Sequence, residues 1–227
     1  MSNVRDFCKT EKIKAAVLLE ATKLFRQQGY TNTTVREIAE AAGLSKSNLM
    51  YAFKSKEDIL AMLVTYAQEN RFSMANRLVA DKTEDPLLIY AVETALQLYI
   101  TESDENIRDV YSAAYSLPTT VDIIQHTITQ RLERVFKNHL PDLQTRDFYE
   151  LEIASSGIMR AFITRPCDIY FTIERKVARF LETIFLIWRV SEDKIRQAID
   201  FVYQFDLDTA AEKTVQNIMG YCEKCLE

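Results

Sequence analysis

The 227-residue chain has little glycine, proline and histidine: four glycines, four prolines and two histidines. So few turn-forming residues leave little room for tight hairpins, which argues against a β-rich fold. The chain also lacks a glycine-rich phosphate loop and a Gly-x-Ser-x-Gly elbow, and two histidines offer few options for acid–base catalysis. The sequence therefore predicts no enzyme, and no cofactor or metal site is expected.

Long apolar runs are also missing. No run exceeds six residues, and the first twelve residues contain no hydrophobic signal core. A bilayer-spanning helix needs about 20 predominantly apolar residues, so we expect a cytoplasmic protein without a membrane partner. In that compartment the four cysteines are expected to be reduced thiols rather than a disulfide framework: Cys8, Cys167, Cys222 and Cys225.

Positive charge is concentrated at the start of the chain, although the formal net charge is −5. Residues 1–56, here called the head, contain ten Lys or Arg and five Asp or Glu. Residues 57–227, here called the body, contain eighteen and twenty-eight. A basic head suits a polyanion, most simply nucleic acid, whereas an acidic body would be repelled by one. The composition thus predicts two domains with different partners.

Apolar residues recur at spacings of three and four residues almost throughout the chain, which predicts an all-α fold. The first helix is expected from about Thr10 to Gln28, where Gly29 stops it. Beyond residue 60, one predicted helix follows another, with breaks at proline, serine and aspartate positions. No flexible linker separates head and body, so we expect helix four to join them directly.

Capping signals predict a compact motif in the head. Thr34 to Glu37 fits a capping box for a second helix that ends at Gly43. Ser45 can cap a brief third helix, and Ser55 can cap a much longer fourth helix. Three helices with a short turn between the second and third form a helix-turn-helix, in which the third helix offers its N-terminal residues to the major groove of DNA.

Three segments of this region resemble the DNA-binding domain of the TetR family of bacterial repressors: Thr33–Ala39, Ala42–Lys46 and Phe53–Glu57. The resemblance covers roughly Ile13 to Leu60. It implies an N-terminal three-helix helix-turn-helix (homeodomain-like) domain, joined by helix four to a larger helical domain for ligand binding and dimerisation. It also implies a ligand-responsive repressor that acts as a homodimer on a near-palindromic double-stranded DNA operator.

The resemblance implies seven DNA-contacting side chains in the head. Base-edge contacts are expected from Arg36, Lys46 and Ser47, and phosphate contacts from Thr34, Asn48, Tyr51 and Lys56. The residue types agree, because Arg and Lys reach the acceptors of guanine, and short hydroxyls and amides at helix N-termini suit phosphate oxygens. Lys56 lies in the first turn of helix four, where a lysine opposes the helix dipole unless a negative group is near. A phosphate would supply that group.

In the body the resemblance carries no motif, and the helical pattern is the remaining guide. A helix expected from about Asp168 to Arg189 has a wide apolar stripe, predicted to pair with a helix from Thr145 to Ile163 in a four-helix dimer interface. The expected interface residues are Ile173, Val177, Phe180, Ile184 and Trp188. Small residues on the partner helix would allow close approach: Ala154, Ser155, Gly157 and Ala161. The alternative is that these faces are ordinary core within one chain.

Polar residues on apolar faces indicate an effector pocket enclosed by helices between about residues 86 and 163. Tyr111 and Tyr115 lie one turn apart and could line it with aromatic surface and hydroxyl groups. Glu93 and Glu152 fall on or beside apolar faces, where a carboxylate is costly unless it is paired. One alternative is that each is a pocket acid, which would favour a cationic or hydroxyl-bearing ligand. The other is that each is part of a salt bridge or lies exposed; a paired Glu152 would leave the pocket neutral and the ligand simply apolar.

Two other functions stay open. Met50 and Ala52 depart from the family pattern, so the chain could instead be a helical ligand-binding or interaction protein with a degenerate DNA-binding domain. Cys222 and Cys225 have the spacing of half a zinc site, which two chains of a dimer could complete in a metal-responsive regulator.

Overall fold

A computed structural model describes the backbone of residues 2–224 and the side chains of residues 11–220. Within that part of the chain eleven α-helices follow one another without a strand, which confirms the all-α prediction. They are α1 Ser2–Gln28, α2 Val35–Ala41, α3 Lys46–Ala52, α4 Lys56–Val79, α5 Pro86–Glu102, α6 Glu105–Ala114, α7 Pro118–Phe136, α8 Thr145–Thr164, α9 Ile173–Ile187, α10 Glu192–Val202 and α11 Leu207–Lys224. No described helix is both long and apolar enough to cross a membrane. The side chains of Cys8, Cys222 and Cys225 lie outside the described residues.

The helices of the head begin where the capping residues predict. The Thr34 hydroxyl accepts the N–H of Glu37, and the Glu37 carboxylate accepts the N–H of Thr34 at 2.7 Å, so both halves of the capping box are present. Ser45 and Ser55 cap α3 and α4, each accepting an N–H three residues further on at 3.1 Å. Gly43 adopts a φ of +66°, which allows the close turn between α2 and α3. The predicted helix-turn-helix is confirmed.

Helix α4 joins the two parts of the chain without a break. Its first turn packs into the apolar core of the head, where four side chains have 1% exposure or less: Phe25, Ile38, Leu49 and Ile59. The rest of α4 packs against α5, α7 and α11 in the body. A single continuous helix therefore has one end in each part.

Helix α5 is the centre of the body. Thirteen of its seventeen residues are buried, including Glu93, Thr94 and Gln97. Helices α4, α6, α7, α8, α9, α10 and α11 all pack against it. A helix that is apolar on all sides is expected to be surrounded in this way.

The apolar stripe on α9 is core within one chain, so its assignment to a dimer interface was wrong. Four stripe residues have 1% exposure or less and the fifth packs half-buried against the same core: Val177, Phe180, Ile184 and Trp188, with Ile173. The Trp188 ring stacks on Phe136 of α7 and Phe148 of α8, with centroid distances of 4.7 and 5.9 Å. The stripe is too wide for a single partner helix, and α5, α7 and α8 already cover it.

Candidate nucleic-acid interface and effector cavity

Helix α3 has a buried face and an open polar face. Leu49 and Phe53 are buried in the core of the head. The opposite face is exposed and carries four of the predicted DNA contacts: Lys46, Ser47, Asn48 and Tyr51. Tyr51 is the most open of the large side chains there, at 83% exposure. The apolar face thus fixes α3 in the head while its first turn stays free for a partner.

Arg36 and Thr34 lie at the start of α2. The Arg36 side chain is 81% exposed, and its Nε donates to Glu40 at 2.7 Å. An exposed pair of this spacing contributes little to stability, so the guanidinium can leave Glu40 for a base at little cost. The Thr34 hydroxyl is already used, because it accepts the Glu37 N–H and donates to the Glu37 carboxylate at 2.8 Å. A phosphate would have to compete with that cap.

Lys56 points into the head rather than towards solvent. Its Nζ donates to the main-chain carbonyls of Tyr30 and Thr33, both at 2.7 Å, and lies 4.0 Å from the centre of the Tyr30 ring. Burial lowers the pKa of Lys56, and the charges of Asp109 and Glu37 oppose the fall. A lysine in the first turn of α4 needs a negative group or dipole nearby, and the partly negative oxygens of these two carbonyls supply it. A phosphate would have to compete with these bonds for Lys56.

The N-terminal half of α6 holds the head to the body. The Asp109 carboxylate accepts the Thr31 N–H at 2.7 Å and the Thr31 hydroxyl at 2.8 Å. The Asn106 side-chain amide donates to the carbonyls of Arg26 at 3.2 Å and Gln27 at 3.0 Å. These carbonyls end α1 and have no partner within their own helix. Helix α6 thus completes the C-terminus of α1 and fixes the turn that leads to α2.

A cavity of about 110 Å³ lies behind this contact, between α1, α4, α6, α7 and α11. Tyr111 and Tyr115 both line it. Glu93 and Glu152 do not, and instead line an adjoining space of about 20 Å³, to which Tyr115 also contributes. The predicted pocket residues are therefore divided between a large apolar cavity and a small polar one.

Glu93 is part of a buried salt bridge, one of the two readings that the sequence left open. Its carboxylate accepts the Arg131 Nε at 2.7 Å and lies 3.8 Å from a terminal nitrogen of Arg71. Burial raises the pKa of Glu93, and both guanidinium groups oppose the rise. A second terminal nitrogen of Arg71 donates to Gln97, whose amide donates to the Tyr115 hydroxyl at 2.8 Å. A chain of polar contacts thus links the two spaces.

Glu152 is buried without a cationic partner in direct contact. It is 2% exposed, and its Oε2 has no hydrogen-bond partner. Burial raises its pKa to about 8, although a hydrogen bond with Ser155 and the charge of Arg71 oppose the rise. Glu152 is therefore mostly an uncharged acid at neutral pH. Neither predicted acid makes the large cavity acidic.

Sequence reasoning missed two polar residues that line the large cavity, Gln68 and Arg71. The Oε1 of Gln68 and the Nε of Arg71 are buried without hydrogen-bond partners. A signal for them exists in the sequence, because both continue the helical face of α4 that Leu60, Leu63 and Val64 begin. Buried polar groups without partners are uncommon in native proteins and call for an explanation.

Residues 17–63 match the family model described as bacterial regulatory proteins, tetR family. The matched segment begins within α1 and ends within α4, so it contains the whole helix-turn-helix. The head therefore matches the DNA-binding domain of the TetR family, as the sequence predicts. A match to regulatory proteins agrees with the expectation that the chain is not an enzyme.

Curated proteins similar to parts of this chain are transcriptional regulators. The chain is 33% identical over 121 residues to YuxN, an uncharacterized HTH-type transcriptional regulator of Bacillus subtilis, and the match covers 50% of this chain and 39% of YuxN. It is 50% identical over 44 residues to RutR, an HTH-type transcriptional regulator of Escherichia coli, covering 19% of this chain and 21% of RutR. The chain thus spans less than half the length of these two relatives.

Solved structures share the fold over most of this chain. RolR in complex with resorcinol superposes with a TM-score of 0.64 at 16% identity, covering 86% of this chain and 94% of RolR. SmeT, the repressor of the Stenotrophomonas maltophilia multidrug efflux pump SmeDEF, superposes with a TM-score of 0.53 at 18% identity, covering 76% and 88%. At such identities the likeness shows the fold alone.

Replacing Glu152 by Gln is expected to remove a pH dependence of stability. The folded pKa of about 8 lies above the value of about 4.3 for an exposed Glu, so between these pH values the folded state keeps a proton that the unfolded state has lost. Relative to Glu152→Gln, the free energy of unfolding of the wild type should fall by roughly 1 kcal/mol per unit as pH rises from about 5 to 8. Below about pH 4 the two should differ by a constant amount.

Urea denaturation at a series of pH values measures this difference. Glu150→Gln is the matched control, because Glu150 is exposed on the same helix, and its curve should follow that of the wild type. Parallel curves for the wild type and Glu152→Gln would show that Glu152 is ionised in the folded protein.

Proposed function

We propose that the protein is a sequence-specific transcriptional regulator, a ligand-responsive repressor that binds a near-palindromic operator as a homodimer. The proposal assigns residues 1–56 to DNA binding and residues 57–227 to ligand binding and dimerisation. The observation that carries it is the exposed polar surface of α2 and α3, with Arg36 and Lys46, in a head that matches the TetR family model. The analogy with the repressor SmeT supports repression rather than activation. The analogy with RolR, which holds resorcinol, supports a small-molecule ligand.

The exposed residues of that surface divide into reading and positioning groups. Arg36, Lys46 and Ser47 are proposed to reach base edges, because Arg and Lys match the acceptors of guanine. Asn48 and Tyr51 are proposed to bind phosphate, since both side chains are exposed on α3.

The cavity lies where a bound ligand could affect the position of the head. Phe25 and Arg26 of α1 line one side of the cavity, and Ile107 and Tyr111 of α6 line another. A ligand between α1 and α6 changes the separation of the two helices that the contacts of Asp109 fix. The ligand can shift DNA affinity only as far as it binds one arrangement of α1 and α6 more tightly than another. The free energy of such coupling is usually about 1–3 kcal/mol.

The proposed dimer interface is the outer face of α8 and α9, opposite the stripe that the chain itself buries. On α8 this face is exposed and contains Ile153, Ala154, Gly157 and Ala161. On α9 it contains Leu186, which is 62% exposed. Small side chains allow a partner helix to approach closely, and a two-fold dimer would bury the same face twice.

The DNA proposal predicts that the wild type enriches one near-palindromic sequence from random duplexes. Its half-site centres should lie about 34–36 Å apart, one turn of DNA, or a multiple of that distance. Arg36→Ala should weaken binding to the enriched sequence by about 1–3 kcal/mol and relax preference at one position, because a base-edge contact is lost. Affinity is measured by fluorescence anisotropy at fixed salt.

Arg196→Ala is the control for this variant. Arg196 is also an exposed helical arginine paired with a nearby acid, Asp193, but it lies on α10 in the body. It should bind the enriched sequence like the wild type. If no sequence is enriched and random DNA binds weakly at low salt, the degenerate-domain alternative replaces the proposal.

Gly157→Arg is expected to convert a dimer into a folded monomer. A Cβ at Gly157 meets no atom of its own chain within 4 Å, so the substitution disturbs a partner and not the fold. Gly220→Arg is the matched control, since a Cβ there also meets no atom within 4 Å and Gly220 lies on α11. Sedimentation at micromolar concentration should find the wild type and Gly220→Arg dimeric and Gly157→Arg monomeric. A monomeric wild type, or a dimeric Gly157→Arg, contradicts the proposed interface.

A further inference from the structure

The charges around the large cavity are of one sign. Arg71 and Arg26 line it, and no Asp or Glu does. Arg71 is 4% exposed, whereas Arg26 is exposed. A cavity with these walls repels a cation and attracts an anion, and the attraction is strongest near Arg71, where water does not screen it.

The guanidinium of Arg71 is incompletely satisfied. One terminal nitrogen donates to the neutral amide of Gln97, and the other lies 3.8 Å from Glu93, beyond hydrogen-bond distance. Its Nε has no partner. A buried donor left without an acceptor is unfavourable, and more so when the group is charged. Arg71 therefore lacks both an acceptor and part of a counter-charge.

The neighbours of Arg71 do not supply that charge. Arg131 holds one oxygen of Glu93 at 2.7 Å, so a single carboxylate serves two guanidinium groups. Glu152, which lines the adjoining space, is mostly protonated at neutral pH because burial raises its pKa to about 8. One turn from Arg71, the amide of Gln68 has an unpartnered buried oxygen and can rotate to present its N–H groups instead. An anionic oxygen ligand suits both side chains.

The rest of the lining is mostly aliphatic and aromatic, including Leu60, Leu63, Ile107, Val110 and Tyr111. Such walls require an apolar ligand body. An engineered apolar cavity of roughly 150 Å³ binds benzene, so a cavity of about 110 Å³ has the scale of a single ring or a short chain.

We propose that the cavity binds a small apolar monocarboxylate, with the carboxylate at Arg71 and Gln68 and the hydrocarbon body between α1, α4 and α6. The inference rests on the proposed function only in treating this ligand as the effector. It replaces the cationic ligand that Glu93 and Glu152 suggested, because those acids line the adjoining space.

Three compounds with one hydrocarbon body test the charge of the ligand: 3-phenylpropionate, 3-phenylpropanol and 3-phenylpropylamine. Binding to the wild type is measured by titration calorimetry at pH 7 without DNA. The carboxylate should bind at least about tenfold more tightly than the alcohol, a difference of about 1.4 kcal/mol. The amine should bind more weakly than the alcohol.

Variants locate the site. Arg71→Met should bind the carboxylate and the alcohol equally, because the anion has lost its partner. Arg131→Gln is the matched control: it also removes a partner of Glu93, but Arg131 does not line the cavity, so the preference for the carboxylate should persist. Ala67→Leu places a larger side chain in the lining and should abolish binding of the carboxylate. If Arg71→Met fails to fold, the wild-type series and Ala67→Leu decide the question.

The proposal is overturned if 3-phenylpropionate does not bind, if the wild type binds the alcohol or the amine as tightly, or if Ala67→Leu binds the carboxylate like the wild type. None of these results bears on DNA binding, because the calorimetry contains no DNA. Operator affinity of the same preparations, measured without ligand, tests the proposed function separately.

Discussion

The position of the head depends on one carboxylate. Asp109 of α6 accepts both the N–H and the hydroxyl of Thr31, and this contact joins residues 78 positions apart in the chain. Gly29 makes the approach possible, because it adopts a φ of +79° and a Cβ there would lie 2.7 Å from the Asp109 Oδ2. Asn106 adds bonds to the last carbonyls of α1. The large cavity lies between the same two helices.

Local chemistry explains why much of the fold could be predicted from the sequence. Thr34, Ser45 and Ser55 cap helices through groups within three residues of themselves, so their roles are present in the sequence itself. Gly43 likewise marks its turn through its own backbone freedom. Tyr111 and Tyr115 could be placed on one cavity because a helix brings residues four apart to the same side. The residues predicted to contact DNA are exposed on α2 and α3, except Lys56, and their contacts stay predictions.

Contacts between distant residues explain what could not be predicted. Lys56 was assigned to phosphate by the family resemblance and its place in the first turn of α4. Its acceptors in the structure, the carbonyls of Tyr30 and Thr33, lie 26 and 23 residues away in the chain, where no local pattern points to them. Lys176 is fully buried on the apolar stripe of α9, where it donates to Glu102, 74 residues away, at 2.5 Å. The stripe itself could not show whether its partner was another chain or α5, α7 and α8. Arg71 and Gln68 have buried polar atoms without hydrogen-bond partners, and only the folded structure shows this.

The central claim is that the N-terminal half of α6 fixes the head, and amide hydrogen exchange in Asp109→Ala tests it most directly. Loss of the Thr31 contact should speed exchange throughout α2 and α3, because local opening then costs less free energy, while exchange in α5 stays unchanged. Glu105→Ala is the control, since Glu105 is exposed on the same helix one turn before Asp109; it should leave α2 and α3 as in the wild type. If α2 and α3 exchange in Asp109→Ala as slowly as in the wild type, the head does not depend on α6 and the account is contradicted.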